Sequence, residues 1–237
     1  MTHELLTLLL GPLLLYQGRR VRRNISLLPE PPGERTGTAG TGPPLRLLVT
    51  GDSAAAGVGA THQQEALLGQ LVARLSDNFL VHFTLLAKTG GTTRSTLRAL
   101  GKLHGQSFDA VVTSLGVNDV TAGVGLSKWQ EQQRALRTYL RESLGAQQII
   151  VTGLPPVHGF PALPQPLRWY LGRRATQFDE TLQQDVAAEP GTHFLSLRFS
   201  RDVSLMAADG FHPGPAIYSE WAMRAAHQIQ ASLGTRA

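Results

Sequence analysis

Apolar residues recur along this chain in two registers. Short continuous apolar runs stand at Leu45 to Thr50, Phe79 to Leu86, Ala110 to Leu115, Gln148 to Thr152 and His193 to Leu197. Runs of this length read as strands buried on both faces. Between them the apolar positions fall at helical intervals: Leu67, Leu71 and Leu75; Trp129, Leu136, Leu140 and Leu144; Leu171, Ala175, Phe178, Leu182 and Val186; and finally Ile217, Trp221, Ala225 and Ile229. Strand and helix in alternation imply right-handed crossovers and a parallel sheet covered on both sides. The predicted fold is therefore α/β, a flavodoxin-like three-layer α/β/α sandwich of about five parallel strands.

The pattern breaks down at the ends. Leu5 to Tyr16 is an apolar run, and Arg19, Arg20, Arg22 and Arg23 follow it at once, while Glu4 precedes it. A secretory signal carries its positive charge before the apolar run, so no cleavable signal peptide is expected and the setting predicted is cytoplasmic, with association to the inner face of a membrane as an option. A membrane-spanning helix needs about 20 apolar residues, and Gly11-Pro12 interrupts this stretch. Two placements stay open: peripheral membrane contact through residues 5–23, held by arginines near anionic lipid, or a helix packed on the domain. From Pro29 to Pro44 the chain is dense in proline and glycine without apolar periodicity, which reads as a linker. The expected organisation is an apolar and basic segment over 1–28, a linker over 29–44, and one domain over 45–237 whose last four residues, Gly-Thr-Arg-Ala, fray.

Composition narrows the chemistry. At 237 residues with 42% hydrophobic content, one core is the natural expectation. The chain has no cysteine, which excludes disulfides, thiolate nucleophiles and Cys-ligated metals. Its net charge of +5 owes much to the arginine cluster. No zinc-finger spacing or RNA-binding aromatic motif accompanies it, so no nucleic-acid partner is predicted.

Four polar clusters follow strand ends. Gly51-Asp52-Ser53 follows the first strand, Gly90-Gly91 the second and Gly116-Val117-Asn118-Asp119 the third; Asp209-Gly210-Phe211-His212 lies between the fifth strand and the last helix. In open parallel sheets the ligand crevice lies outside the carboxyl ends of the strands, so all four share one rim. A serine hydroxyl needs a base to take its proton as it attacks. His212 can be that base, and Asp209, three residues earlier, can fix its tautomer and stabilise the imidazolium. The Asn118 amide and the backbone N–H groups of Ser53 and Gly90 are candidate donors to the oxyanion of a tetrahedral intermediate.

In this order the four clusters resemble the SGNH (GDSL) hydrolases, over roughly Leu45 to Leu233. The resemblance implies Ser53 as nucleophile and first oxyanion donor, Gly90 as second, Asn118 as third, His212 as base and Asp209 as its orienter. Gly91 is a rival to Gly90, which Thr89-Gly90-Gly91-Thr92-Thr93 favours by its similarity to the family's Ser/Asn-Gly-x-Thr-Thr. The stretch Ser53-Ala54-Ala55-Ala56-Gly57 departs from the pattern, since many members carry an aromatic or second polar residue there.

Plainer roles compete at several positions. Ser53 could be only a helix cap. Asp52 is read as holding its turn, and Asp119 as capping the segment after Asn118. His158 follows a strand end and is a candidate pocket residue. The proline-rich apolar stretch from Gly159 to Tyr170 is either a rigid connector or a wall for an acyl chain. No His-x-x-x-His or clustered-carboxylate pattern appears, so neither metal nor cofactor is expected.

The function expected is hydrolysis of carboxylic esters, with short- to medium-chain acyl or aryl groups, through an acyl-enzyme. A lysophospholipase or acyl-thioesterase at a membrane surface is the alternative with the same chemistry. From a different class, the chain could be a non-catalytic membrane-surface binding module. The expected partner is a small-molecule or lipid ester.

Overall fold

The computed structural model describes residues 3–24, 28–198 and 202–234. Past Gly234, the expected frayed end lies outside the described residues. Helix α1 (His3–Asn24) is followed by strands β1 (Thr36–Ala39) and β2 (Pro44–Gly51), and by helices α2 (Ser53–Ala56) and α3 (Leu67–Leu75). Then come β3 (Leu80–Ala87), α4 (Thr93–Leu100), β4 (Ala110–Ser114), α5 (Val117–Thr121), α6 (Leu126–Glu142), β5 (Gln148–Thr152), α7 (Leu167–Val186), β6 (Thr192–Leu195) and α8 (Pro215–Gly234).

The strands form one sheet in the order β1-β3-β2-β4-β5-β6. β2 pairs in parallel with both β3 and β4, and β5 and β6 extend the parallel set. Side chains alternate across the pleat. Leu48, Val111 and Ile149 face one apolar layer, shared with Trp129, Leu136 and Phe178 of α6 and α7. Leu47, Val112 and Ile150 face the other, shared with Leu71 of α3 and Trp221 of α8. The three-layer α/β/α architecture is thus the one the sequence predicts.

Two expectations need correction. First, the five parallel strands expected are joined by a sixth strand where none was predicted. The extra strand, β1, lies inside the stretch read as a linker and pairs antiparallel with β3, from Thr36 against Thr84 to Ala39 against Val81. Its four residues, Thr-Gly-Thr-Ala, lie mostly exposed on the sheet edge. An edge strand held by ladder hydrogen bonds needs no apolar pattern, so periodicity gave no sign of it. The same stretch docks elsewhere: Pro31 is buried, and the Pro31 and Pro32 carbonyls accept from the Gln63 side chain and backbone.

Second, Gly11-Pro12 does not interrupt α1, which runs on through Pro12. A proline inside a helix removes one hydrogen bond. Tertiary contact offsets that loss, because most helical stability in proteins comes from packing of one face. Leu14 is buried in the α6/α7 layer with Leu10 and Val21 packed against it. The Gln17 side chain donates to the Gln165 carbonyl at 2.8 Å and accepts from the Leu167 amide at 3.1 Å. Among the described residues, no helix is long and apolar enough to cross a membrane.

Gly40, which closes β1, tests whether this stretch belongs to the folded unit. Its φ is +84°, and a Cβ there would stand 2.4 Å from the Phe79 carbonyl oxygen and 2.5 Å from that of Ser76. Strained backbone of this kind costs about 1–3 kcal/mol. Gly40→Ala should lower the unfolding free energy of the whole domain by at least that much, and with it the urea midpoint; an unchanged midpoint would show 29–44 to be the free linker.

Candidate active site

β2 and β4 lie at the point where strand order reverses, since the chain steps from β2 outward to β3 and then back across to β4. The crevice of such a sheet opens at the carboxyl ends of those two strands. Gly51 permits their close approach: a Cβ there would meet the Ser114 carbonyl oxygen at 2.2 Å. The Asp52 amide donates to that same oxygen at 3.1 Å, which ties the end of β2 to the end of β4.

Asp52 caps α2, its carboxylate accepting from the Ala54 amide at 3.1 Å. Ser53 is therefore the first residue of the helix and not its cap, which leaves its hydroxyl available. The Ser53 Oγ stands 2.9 Å from His212 Nε2. On the far side of the ring, His212 Nδ1 is 2.6 Å from Asp209 Oδ2. An ionised carboxylate only accepts, so Nδ1 carries a proton, and in the neutral ring this leaves the Nε2 lone pair facing the serine hydroxyl. The other oxygen of Asp209 accepts from the Phe211 and His212 amides, each at 3.0 Å. One tight loop thus holds carboxylate and imidazole as a unit.

The two aspartates of this rim are tuned in opposite directions. Burial pushes Asp209 up, but the hydrogen bonds from the His212 ring and from two amides outweigh it and hold the carboxyl below its ordinary value. For Asp52 burial wins: despite the Ala54 and Ala55 amides and the Ser114 hydroxyl, its pKa is pushed from 3.8 to about 7.

Asn118 lies in α5, and its Nδ2 donates one hydrogen to the Gly91 carbonyl at 3.0 Å. An amide nitrogen has two donors, so the second stays available. The glycine pair divides its work. Gly90 has φ +78° with open space where a Cβ would be, whereas a Cβ on Gly91 would meet the Lys88 and Gly51 carbonyl oxygens at 2.9 and 3.0 Å. The Gly91 amide is already spent on the Lys88 carbonyl at 2.9 Å. Among the described residues the Ser53 and Gly90 amides have no hydrogen-bond partner.

Asp119 does not cap the segment that follows Asn118. It is fully buried and accepts from the amide and hydroxyl of Thr93, at the start of α4. The Thr93 hydroxyl also accepts from Trp129 Nε1 and Gln133 Nε2. Periodicity cannot reveal such a link, because its members are far apart in sequence. Glu30 escaped the sequence reading for the same reason: it accepts from the amide and hydroxyl of Thr89, next to Gly90, and pairs with Arg35.

A pocket of about 310 Å³ opens on the rim. Ser53, Asn118 and His212 line one part of it, and Phe160, Leu197, Met206, Phe211 and Ile217 give it apolar walls. Gly90 is not among its lining residues and reaches the group through the Gly91–Asn118 bond. His158 and Phe160 line the pocket, so the start of the proline-rich stretch is a wall, with Phe160 packed edge-on against Phe211. Beyond it, Leu163 is buried in the core, and Trp169 and Tyr170 belong to α7. Sequence patterning gave no sign of Arg198, which lines the pocket and is paired at 2.9 Å with buried Asp179.

The class these features define is that of carboxylic ester hydrolases built on a three-layer α/β/α sheet. The chain belongs to the GDSL-like lipase/acylhydrolase family, whose model matches residues 49–219. Solved structures of similar fold include the lipase Lip_vut3 from a goat rumen metagenome, at 18% identity and TM-score 0.61, over 77% of this chain and 97% of that one. TesA is similar at 22% identity and TM-score 0.58, over 79% of this chain and 99% of its own. The psychrotrophic esterase EstA from Pseudoalteromonas sp., in a structure inhibited by monoethylphosphonate, gives 20% identity and TM-score 0.59, over 80% and 98%. At these identities the likeness is one of fold. No curated protein matches the sequence at a significant level.

The raised Asp52 gives a pH test with a definite sign. A folded-state pKa above the unfolded 3.8 means that its contribution to stability is complete below about pH 4 and is lost as pH rises through about 7. Asp52→Asn keeps an oxygen to cap α2 but has no proton to lose. Its stability relative to the native protein should rise steadily between about pH 4 and 7 and then level off. Parallel urea curves at every pH would remove the argument.

Proposed function

We propose that the protein hydrolyses carboxylic esters with short- to medium-chain acyl or aryl groups through an acyl-enzyme on Ser53. The observation that carries this reading is the continuous line Ser53 Oγ, His212 Nε2, His212 Nδ1, Asp209 Oδ2, with steps of 2.9 and 2.6 Å, at an apolar pocket. His212 takes the Ser53 proton as Oγ bonds to the ester carbonyl carbon. The resulting oxyanion is received by the N–H groups of Ser53 and Gly90 and the second N–H of Asn118. As the carbon–oxygen bond to the alcohol breaks, His212 Nε2 gives the leaving oxygen its proton. Water then attacks the acyl-enzyme with His212 again as base, and the acid leaves with Ser53 restored. Asp209, held low by its three donors, stays ionised throughout and stabilises the imidazolium.

A volume of about 310 Å³ lies at the small end of ligand pockets, roughly 300–1,000 Å³, which supports a short to medium acyl group. A second reading, hydrolysis of a lysophospholipid or acyl thioester, is favoured by the same apolar walls. The two separate in a chain-length series of acyl esters and thioesters, where a preference confined to acetyl speaks against a lipid.

Ser53→Ala should abolish turnover of p-nitrophenyl butyrate and covalent labelling by a phosphonate ester while leaving the far-UV spectrum unchanged. Asp209→Asn should lower kcat by about 10⁴, through loss of the correct tautomer. Asn118→Ala should lower it by about 10²–10³. Full activity in the Ser53→Ala protein would overturn the proposal.

A further inference from the structure

Helix α1 has two different faces. Leu10, Leu14, Gln17 and Val21, spaced by four, three and four residues, lie against the domain through the apolar layer and the Gln17 hydrogen bonds. Half a helical turn away, Leu15 is 64% exposed and Tyr16 60% exposed, and Leu13 on the flank is 43% exposed. These are three of the five most exposed large apolar side chains among the described residues. The next turns of the same helix carry Arg19, Arg20 and Arg23, all exposed. The helix therefore divides along its length as well, with apolar residues toward its start and cations toward its end.

We propose that this outward face of α1 docks the protein on an anionic lipid surface. Leu15 and Tyr16 enter the boundary between headgroups and acyl chains. Arg19, Arg20 and Arg23 sit at the level of the lipid phosphates, their stems lying along apolar surface and their guanidinium groups in the polar layer. Charge complementarity selects anionic lipid over a zwitterionic surface, since each arginine near such a surface strengthens binding by roughly fivefold. A purely electrostatic partner such as a nucleic acid has no use for Leu15 and Tyr16. The dock is also tied to the pocket: Gln17 clasps Gln165 and Leu167, at the end of the segment whose Phe160 forms a pocket wall. The protein is thereby held at a surface where lipid esters are concentrated.

Co-sedimentation of the full chain with phosphatidylglycerol/phosphatidylcholine vesicles, against pure phosphatidylcholine vesicles, tests this. Binding is expected to the first only, and to weaken as salt rises. Leu15→Gln with Tyr16→Gln should weaken it by roughly tenfold or more. Arg19→Gln, Arg20→Gln and Arg23→Gln together should weaken it by roughly a hundredfold. Neither set touches the domain face, so both proteins should hydrolyse p-nitrophenyl butyrate at the native rate, which serves as the check on folding. Ser53→Ala should bind vesicles like the native chain, so a failure of the proposed chemistry leaves this test intact. The proposal is overturned if the native chain ignores the anionic vesicles. It is overturned too if binding survives loss of Leu15 and Tyr16, or if those substitutions abolish self-association of a chain that ignores vesicles, which would make this face a contact between two copies.

Discussion

The rest of the molecule depends on the junction where β2 and β4 end side by side. β2 is the strand at which sheet order reverses, paired in parallel on both sides, and Gly51 brings its end against the Ser114 carbonyl so closely that no side chain fits between. The Asp52 amide closes the contact, and Asp52 then caps the short helix that begins with Ser53. Every later distance in the site is measured from that fixed serine. A cap supplied by Ser53 itself would engage its hydroxyl with a backbone amide, and the Oγ facing His212 would be lost.

Carboxylates buried around this junction show how environment assigns work. Asp52, Asp119 and Asp179 are all pushed up by burial, although each accepts hydrogen bonds. Asp52 and Asp119 hold helix starts, and Asp179 holds Arg198 and the Leu154 amide. Asp209 alone of these four is held low, because it accepts from an imidazole as well as two amides of its own loop. In the proposed mechanism Asp209 answers a developing imidazolium, a role in which it has to stay charged, and its three donors provide for that. The others serve as anchors, for which acceptor geometry matters more than charge.

The segments ahead of β2 take part in the site without contributing a reacting atom. Glu30 steadies the Thr89 step beside Gly90, Pro31 and Pro32 lock onto Gln63, and β1 covers one edge of the sheet. α1 clamps the segment between the pocket wall and α7. The family match covers residues 49–219, so these elements lie ahead of the part of the chain that it spans.

The parallel sheet, the long helices and the rim clusters are legible in the local sequence, because burial on both faces demands continuous apolar strands and covering helices demand a 3.6-residue period. Both signals are local. Also legible is the Asp209–His212 pair, whose partners are three residues apart. The remaining features are decided in three dimensions. Whether Ser53 or Asp52 caps α2 depends on which side chain finds another partner, and that partner, His212, is 159 residues away. The edge strand β1 exists because β3 offers it a free ladder, and not because its own residues are strand-like. Pro12 stays within a helix because Leu14 and Gln17 find the domain beneath them. Gly90 is left with an open amide because its neighbour's is taken by Lys88. Apart from the local Lys88–Gly91 bond, the deciding energy is a contact between residues far apart in sequence, and no local pattern of apolar and polar positions encodes it.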